Sequence, residues 1–478
     1  MAECLSVAAH ASLGVKSVAE RVAYSFVVDE HPKFAYQAWH LAKSLKRQCE
    51  ADAADIHVQM TPEVPAVVRK MFAAEGFQIH GLSRFGDGRW CNKLGQLPNL
   101  LDCAFDRVVL LDTDMIAVSD LRPFLQGNGV QAKIVDAARP SLEALNEICR
   151  IAGKKPASSI RVDATNEYTM KGNANGGFYA IPRALAGHFS TEWRRWALWL
   201  LENDEPLRRE GHSAHVDQVS AALAFHISGI PWLAAPSNVN YFLHFQGKHR
   251  YLDRSRPIAL VHYHDVSMNV VGLVQPDFSL SAAESAAILQ ANTQITQEFN
   301  NVLFWNFRYA AFPERGSGIG SRGENLQYKH TLLRNEGIEE AESILDVGCG
   351  DGEVLRGLSL RNYLGIDVAA GALEKARIAM PNGTFMHYEG QPVEPREVVL
   401  CFEVLIHQPS LAQFHALVDF LVAHTGKTLL VSGYEHKNPH HMVYFYGPLS
   451  QVLAASGRFS RIEVIGSHSD VTVFRCNV

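Results

Sequence analysis

The most constraining stretch of the chain is residues 343–353, where a mainly apolar run, Ile344, Leu345 and Val347 around Asp346, ends in glycines at 348, 350 and 352. An apolar run that stops at such punctuation predicts a buried strand, a tight turn and then a helix. Gly348, Gly350 and Gly352 let the backbone turn sharply and bring a ligand against the main chain, where a Cβ would collide. A second run, 363–367, closes on Asp367, 21 positions after Asp346. That is about the 20-residue gap at which a nucleoside-binding fold presents a carboxylate to ribose hydroxyls. A dinucleotide-binding turn would carry GxGxxG, whereas these glycines alternate.

The segment DVGCGDGE, with GID downstream, resembles the first two motifs of class I S-adenosylmethionine-dependent methyltransferases, and the likeness covers roughly the last third of the chain. The resemblance implies that Asp346, Gly348, Gly350 and Asp367 hold S-adenosylmethionine and that the adenine lies near Glu389. It also implies that the segment after the fourth strand, from Glu403 to His407, faces both methyl donor and acceptor. Some bacterial methyltransferases carry a similar GSGxGSR segment that covers the cofactor, so Arg322 is expected to pair with the donor's carboxylate through its planar fork. Strands are expected at 384–388, 396–402 and 427–432, a helix at 411–423, and a closing antiparallel hairpin at 461–465 and 471–475.

At 478 residues the chain exceeds what one hydrophobic core serves, so at least two domains are expected. The 44 basic and 50 acidic residues give a net charge of −6, which leaves no nucleic-acid footprint. The cysteines at 4, 49, 91, 103, 149, 349, 401 and 476 show no CxxC pairing, as expected of reduced thiols in the cytoplasm. No signal peptide or membrane span is expected, so any membrane contact is peripheral. Oligomeric state is not legible.

The front of the chain alternates strand and helix patterns. Residues 21–28 read as a strand, a helix follows with Phe34, Ala38, Leu41, Ala42 and Leu45 on one face, and 56–60 and 77–82 read as strands around a helix at 64–72. Such alternation implies a mainly parallel sheet covered on both faces. After Arg107 the run to Leu111 is wholly apolar, as a central parallel strand is, and stops at Asp112, Thr113 and Asp114. Two carboxylates at a strand's carboxyl end can hold a divalent cation that also touches a diphosphate. By itself this is equally an ordinary solvated turn.

Around it, in order, stand Asn92-Lys93-Leu94-Gly95-Gln96, Asn175-Gly176-Gly177, Asp217-Gln218 and His262-Tyr263-His264. Over about residues 20–270 this order resembles metal-dependent nucleotide-sugar glycosyltransferases of the GT-A fold, most like family 8. The resemblance implies that Asp112, Asp114 and His262 bind Mn²⁺ or Mg²⁺ and that Val28 and Asp29 meet the nucleotide base. Asn175, Gly176 and Gly177 would lie under the sugar, Asp217 and Gln218 near the anomeric carbon, and Lys93 would steady the donor. Each also has a plain reading: a turn at 175–177, a helix start at 217–218, a hydrogen-bonded core histidine at 262. The chain departs from the family after the histidine, reading His264-Asp265-Val266-Ser267 in place of a Lys-Pro-Trp phosphate clamp, for which Lys248 is the candidate substitute.

The expected architecture is therefore α/β with two Rossmann-like domains: a GT-A nucleotide-sugar-binding domain at 1–275, a helical and Gly/Ser-rich connection at 276–325, and a class I methyltransferase seven-stranded sheet at 326–478. The expected function is bifunctional: sugar transfer from a nucleotide sugar, with the retention of configuration that the family 8 resemblance implies, and O-methylation of a glycan hydroxyl. His407 is the candidate base, because a histidine near pKa 6.5 suits a hydroxyl acceptor, though it could equally orient its loop. His436, His440 and His441, with Tyr434 and Glu435, form a second candidate acceptor cluster. The rival reading is a methyltransferase whose front domain only binds carbohydrate.

Overall fold

The computed structural model describes residues 20–244, 249–264, 267–437 and 441–478. Lys248 and His440 lie outside the described residues.

The front half is built on a seven-stranded sheet. Across it the strands run Trp232–Ala234, Val130–Ile134, Ala174–Pro182, Arg107–Leu111, Val22–Val28, Ile56–Met60 and Gln78–Gly81. Val22–Val28 and Arg107–Leu111 lie parallel and side by side, and both are almost wholly apolar because helices cover the two faces. Only Ala174–Pro182 runs antiparallel to its neighbours. Residues 175–177, one of whose readings was a turn, begin this extended strand. A three-stranded sheet of Tyr241–Phe242, Leu260–His262 and Met115–Ala117 stands beside the carboxyl ends and pairs His262 with Met115.

The second half holds another seven-stranded sheet, ordered Thr384–His387, Tyr363–Asp367, Ile344–Val347, Arg396–Cys401, Thr425–Gly433, Val471–Asn477 and Arg461–His468. Its first five strands are parallel, and the last two form an antiparallel hairpin that turns at Ser469 and Asp470.

Between the sheets run the helices Ala282–Gln297 and Asn301–Ala311. The first starts on a capping box in which Ser281 and Glu284 satisfy each other's backbone N–H groups. The second carries Phe304 and Phe307 into the front core, where the Phe307 ring stacks on Tyr36 at 4.6 Å between centroids. Met442, from the back half, joins the same core. His441 is held by Thr296 Oγ1 at 3.0 Å and by Val271 C=O at 3.1 Å. Glu435 accepts from the N–H and hydroxyl of Ser450 at the start of the helix Leu449–Ala455. His441 and Glu435 are thus occupied by contacts between and within the halves. Among the described residues no helix is long and apolar enough to cross a membrane.

Candidate active sites

In the front half, Asp112 follows the strand Arg107–Leu111, its N–H bonded to Gly177 C=O at 3.1 Å, and Asp114 precedes Met115–Ala117. The antiparallel pairing of His262 with Met115 then carries the imidazole back to the acids. Ligand atoms of Asp112, Asp114 and His262 all lie within 4.8 Å of one another. His262 Nε2 stands 3.2 Å from Asp114 Oδ1. Burial works against the Asp114 carboxylate, but His262 outweighs it and pulls the group below the usual aspartate range.

Lys93 Nζ reaches Asp112 Oδ1 at 2.8 Å and Asp217 Oδ2 at 3.0 Å, which ties a 3₁₀ turn, a strand end and the first turn of the helix Val216–Ile227 together. Burial opposes the charge on Lys93, yet Asp112 and Asp217 hold it above the ordinary lysine value. Gly176 and Gly177 lie in the middle of this cluster. A Cβ on Gly176 would come within 2.6 Å of Asp217 Oδ2, and one on Gly177 within 2.9 Å of His262 Cε1 and 3.2 Å of Asp112 Oδ2. Two carboxylates and an imidazole over a cradle that a methyl group would fill are donors suited to a hard divalent cation.

The remaining front residues divide. Asn175 Oδ1 accepts from Gly177 N–H and from Asn240 Nδ2, both at 3.0 Å, and Gln218 is buried one residue beyond Asp217. Val28 has its side chain in the core, and Asp29 accepts from Arg84, from Asn92 Nδ2 at 3.1 Å and from Thr61 Oγ1 at 3.0 Å. Asp29 therefore already has protein donors where a base was expected. Asn240, which no motif marks, and His264 complete the site. Asn240 Oδ1 holds His262 Nδ1 at 2.9 Å, leaving Nε2 toward the acids, and His264 stacks on His262 at 3.8 Å between centroids. The Asn240 contact has no signal in sequence, since it joins residues 22 positions apart.

In the back half, Asp346, Gly348, Gly350, Asp367, Glu403 and His407 line one cavity of about 450 Å³ together with Trp305, Tyr388 and Phe420. That volume is within the roughly 300–1,000 Å³ of small-molecule sites. Gly348 has φ 72°, and a Cβ there would meet Val404 Cγ2 at 2.4 Å. Asp367 accepts from Gly350 N–H at 2.9 Å and Ala369 N–H at 2.8 Å, while burial raises its pKa. Burial also pushes Asp346 up to about 7, against the hydrogen bond from Tyr363 Oη at 3.0 Å. Glu403, at φ 60°, is braced by Lys329 Nζ at 3.1 Å and His468 Nε2 at 3.2 Å. His407 Nδ1 bonds Met442 C=O at 2.8 Å, and because a carbonyl only accepts, the proton sits on Nδ1 and Nε2 is the basic nitrogen. Burial lowers the His407 pKa despite that bond, so the ring is neutral near pH 7.

Glu389 is exposed beyond the lining, where Tyr388 stands instead. Arg322 lies off the lining too, its guanidinium paired with Asp351, whose buried carboxylate needs a counter-charge. Ser317 completes this brace through its N–H (3.0 Å) and hydroxyl (2.8 Å) to Asp351, so the Gly/Ser-rich segment is a fitted strap over the cavity mouth rather than a loose tether.

No protein-family model matches the chain. No curated protein matches it either. Among solved structures, the galactosyltransferase LgtC, in complex with donor and acceptor sugar analogs, is similar at 17% identity and a TM-score of 0.36, over 57% of this chain and 95% of its own. The magnesium protoporphyrin IX methyltransferase ChlM from Synechocystis PCC 6803, with bound SAM, is similar at 19% identity and a TM-score of 0.28, over 39% of this chain and 95% of its own. The methyltransferase domain of bacterial CtHen1 has the same identity and TM-score over 32% of this chain and 98% of its own. The chain joins two Rossmann-like folds. At these identities and scores the likenesses concern fold and carry nothing about activity.

Proposed function

We propose that the chain is a bifunctional transferase, in which the front half moves a sugar from a nucleotide-sugar donor with retention of configuration and the back half methylates a glycan hydroxyl with S-adenosylmethionine. The reading has residues 1–275 and 326–478 as the two catalytic units, 276–325 between them, and bacterial surface polysaccharide or glycolipid assembly as the setting. What carries it is one observation: each half gathers acids from distant parts of its own sequence at the carboxyl ends of its parallel strands, where α/β folds bind ligands.

A divalent cation on Asp112, Asp114 and His262 would neutralise the donor's diphosphate. Lys93 adds fixed positive charge at the same point, Gly176 and Gly177 leave room for a sugar ring, and Asp217 faces that room. In the back half S-adenosylmethionine would supply an electrophilic methyl group in an in-line displacement. The work left to the protein is to hold donor and hydroxyl in line and to take the hydroxyl's proton, for which His407 Nε2 is set by the Nδ1 bond to Met442.

The test is a screen of nucleotide sugars with Mn²⁺, S-adenosylmethionine and glycan acceptors, read by product mass, with separate hexose and methyl increments expected. Asp114→Asn is expected to lower sugar transfer by about 100-fold or more and leave methylation intact. A wild type that neither transfers nor hydrolyses any nucleotide sugar would instead support the second reading, a front half that only binds carbohydrate. That reading is favoured by one feature, the missing Lys-Pro-Trp clamp after His264.

A further inference from the structure

Away from both sites, His57, His80 and Cys103 bring their donor atoms within 4.8 Å of one another. His57 lies in the strand Ile56–Met60, His80 in the edge strand Gln78–Gly81, and Cys103 in the turn after the short helix Gln96–Leu100. The parallel register sets His57 beside Gln78 and His80 beside Gln59, so the two histidines share one face of the sheet. His57 Nδ1 and His80 Nε2 are 2.9 Å apart. We propose that these three side chains form a site for a borderline-soft divalent cation, zinc above all, separate from the oxygen-rich cluster of Asp112, Asp114 and His262.

Donor chemistry makes the distinction. Two imidazole nitrogens and a thiolate suit zinc, whereas two carboxylates with one imidazole suit magnesium or manganese. A zinc ion with Zn–N of about 2.0–2.1 Å and Zn–S of about 2.3 Å requires the two nitrogens to open by about 0.5 Å and the sulfur to turn toward them, both small side-chain rotations. The scaffold is otherwise set. Asn99 Nδ2 bonds Gln59 Oε1 at 2.8 Å and Gly81 C=O at 3.1 Å, which ties the short helix to both histidine strands. The carbonyl of Cys103 accepts from Arg183 Nη1 at 3.0 Å, which fixes the turn that carries the thiol. His57 is buried while His80 and Cys103 are half-buried, so a fourth position faces water. A cation here would cross-link the sheet's exposed edge to the segment that begins at Lys93, and so support the front site from behind.

The experiment uses the full chain, freed of metal by chelation and titrated with Co²⁺, which reports its ligands by colour. A near-ultraviolet thiolate-to-cobalt charge-transfer band at one equivalent is expected, lost in Cys103→Ser and in His80→Asn, and displaced by zinc. Cobalt on the Asp112 cluster gives no thiolate band, so the two sites separate in one titration and the result does not depend on either transferase activity. Zinc is also expected to raise the Tm of the wild type and not that of Cys103→Ser. A wild type without the band, or a band that survives in Cys103→Ser, overturns the proposal. The serine variant changes one half-buried atom, so its folding is checked simply by comparing its circular dichroism with the wild type.

Discussion

At Asp346 burial sets a pKa of about 7 in the folded chain, against an ordinary aspartate value of 3.8. A folded-state pKa above the unfolded one means that folding favours the protonated form. The stability it contributes is complete below about pH 4 and is lost as pH rises through 7, by on the order of 4 kcal/mol. Asp346→Asn removes that loss while keeping an acceptor for Tyr363 Oη. The variant's Tm without ligand is expected to exceed the wild type's by more at pH 8 than at pH 5, and a gap independent of pH would refute the buried-acid account. His407 makes the complementary case. Its pKa is lowered by burial, so the acid-side fall in methyl transfer that protonation of His407 causes is expected to have its midpoint below the ordinary histidine value. His407→Ala is expected to cost about 10²–10⁴-fold in rate with the affinity for S-adenosylmethionine kept, as measured by turnover beside calorimetric binding.

The element that most repays attention is the strap of residues 316–323. Its composition reads as a flexible linker, yet Gly316 sits at φ 49° with the place of its missing Cβ 2.1 Å from Asp351 Oδ2, and at Gly320 that place is 1.9 Å from Glu403 Oε2. Those glycines are required by close approach, because Asp351 and Glu403 are each held by a cation and cannot withdraw. Gly316→Ala is expected to weaken S-adenosylmethionine binding about tenfold or more, through strain of roughly 1–3 kcal/mol, as read by calorimetry. The strands were far more legible than the strap. Residues 108–111 and 344–345 are apolar because parallel strands are buried on both faces, and Asp112 and Asp346 follow them because the carboxyl ends meet ligand and water. The strap has no such periodicity, and only the neighbours it presses against reveal its shape.

Across the whole molecule the two halves share packing. The helix Pro32–Gln48 of the front half meets Asn301–Ala311 through Tyr36, Phe304 and Phe307, and Tyr36 Oη donates to Gly272 C=O at 3.1 Å. Phe307→Ala is expected to cost about 3–5 kcal/mol in urea unfolding, as for an aromatic removed from a core. A cost below 1 kcal/mol would mean that the connecting helix is not part of the front core. By itself the sequence determined the fold class of each half, the acids at its strand ends and the glycines of its turns, because these follow from local burial periods and from backbone conformations that only certain residues adopt. The tertiary structure alone decided that Lys93 bridges Asp112 and Asp217, that Asn240 orients His262, that Arg322 serves Asp351, and that His57, His80 and Cys103 meet. Each of those depends on strand order and register, which bring together side chains far apart in the chain and leave no trace in the spacing of any one segment.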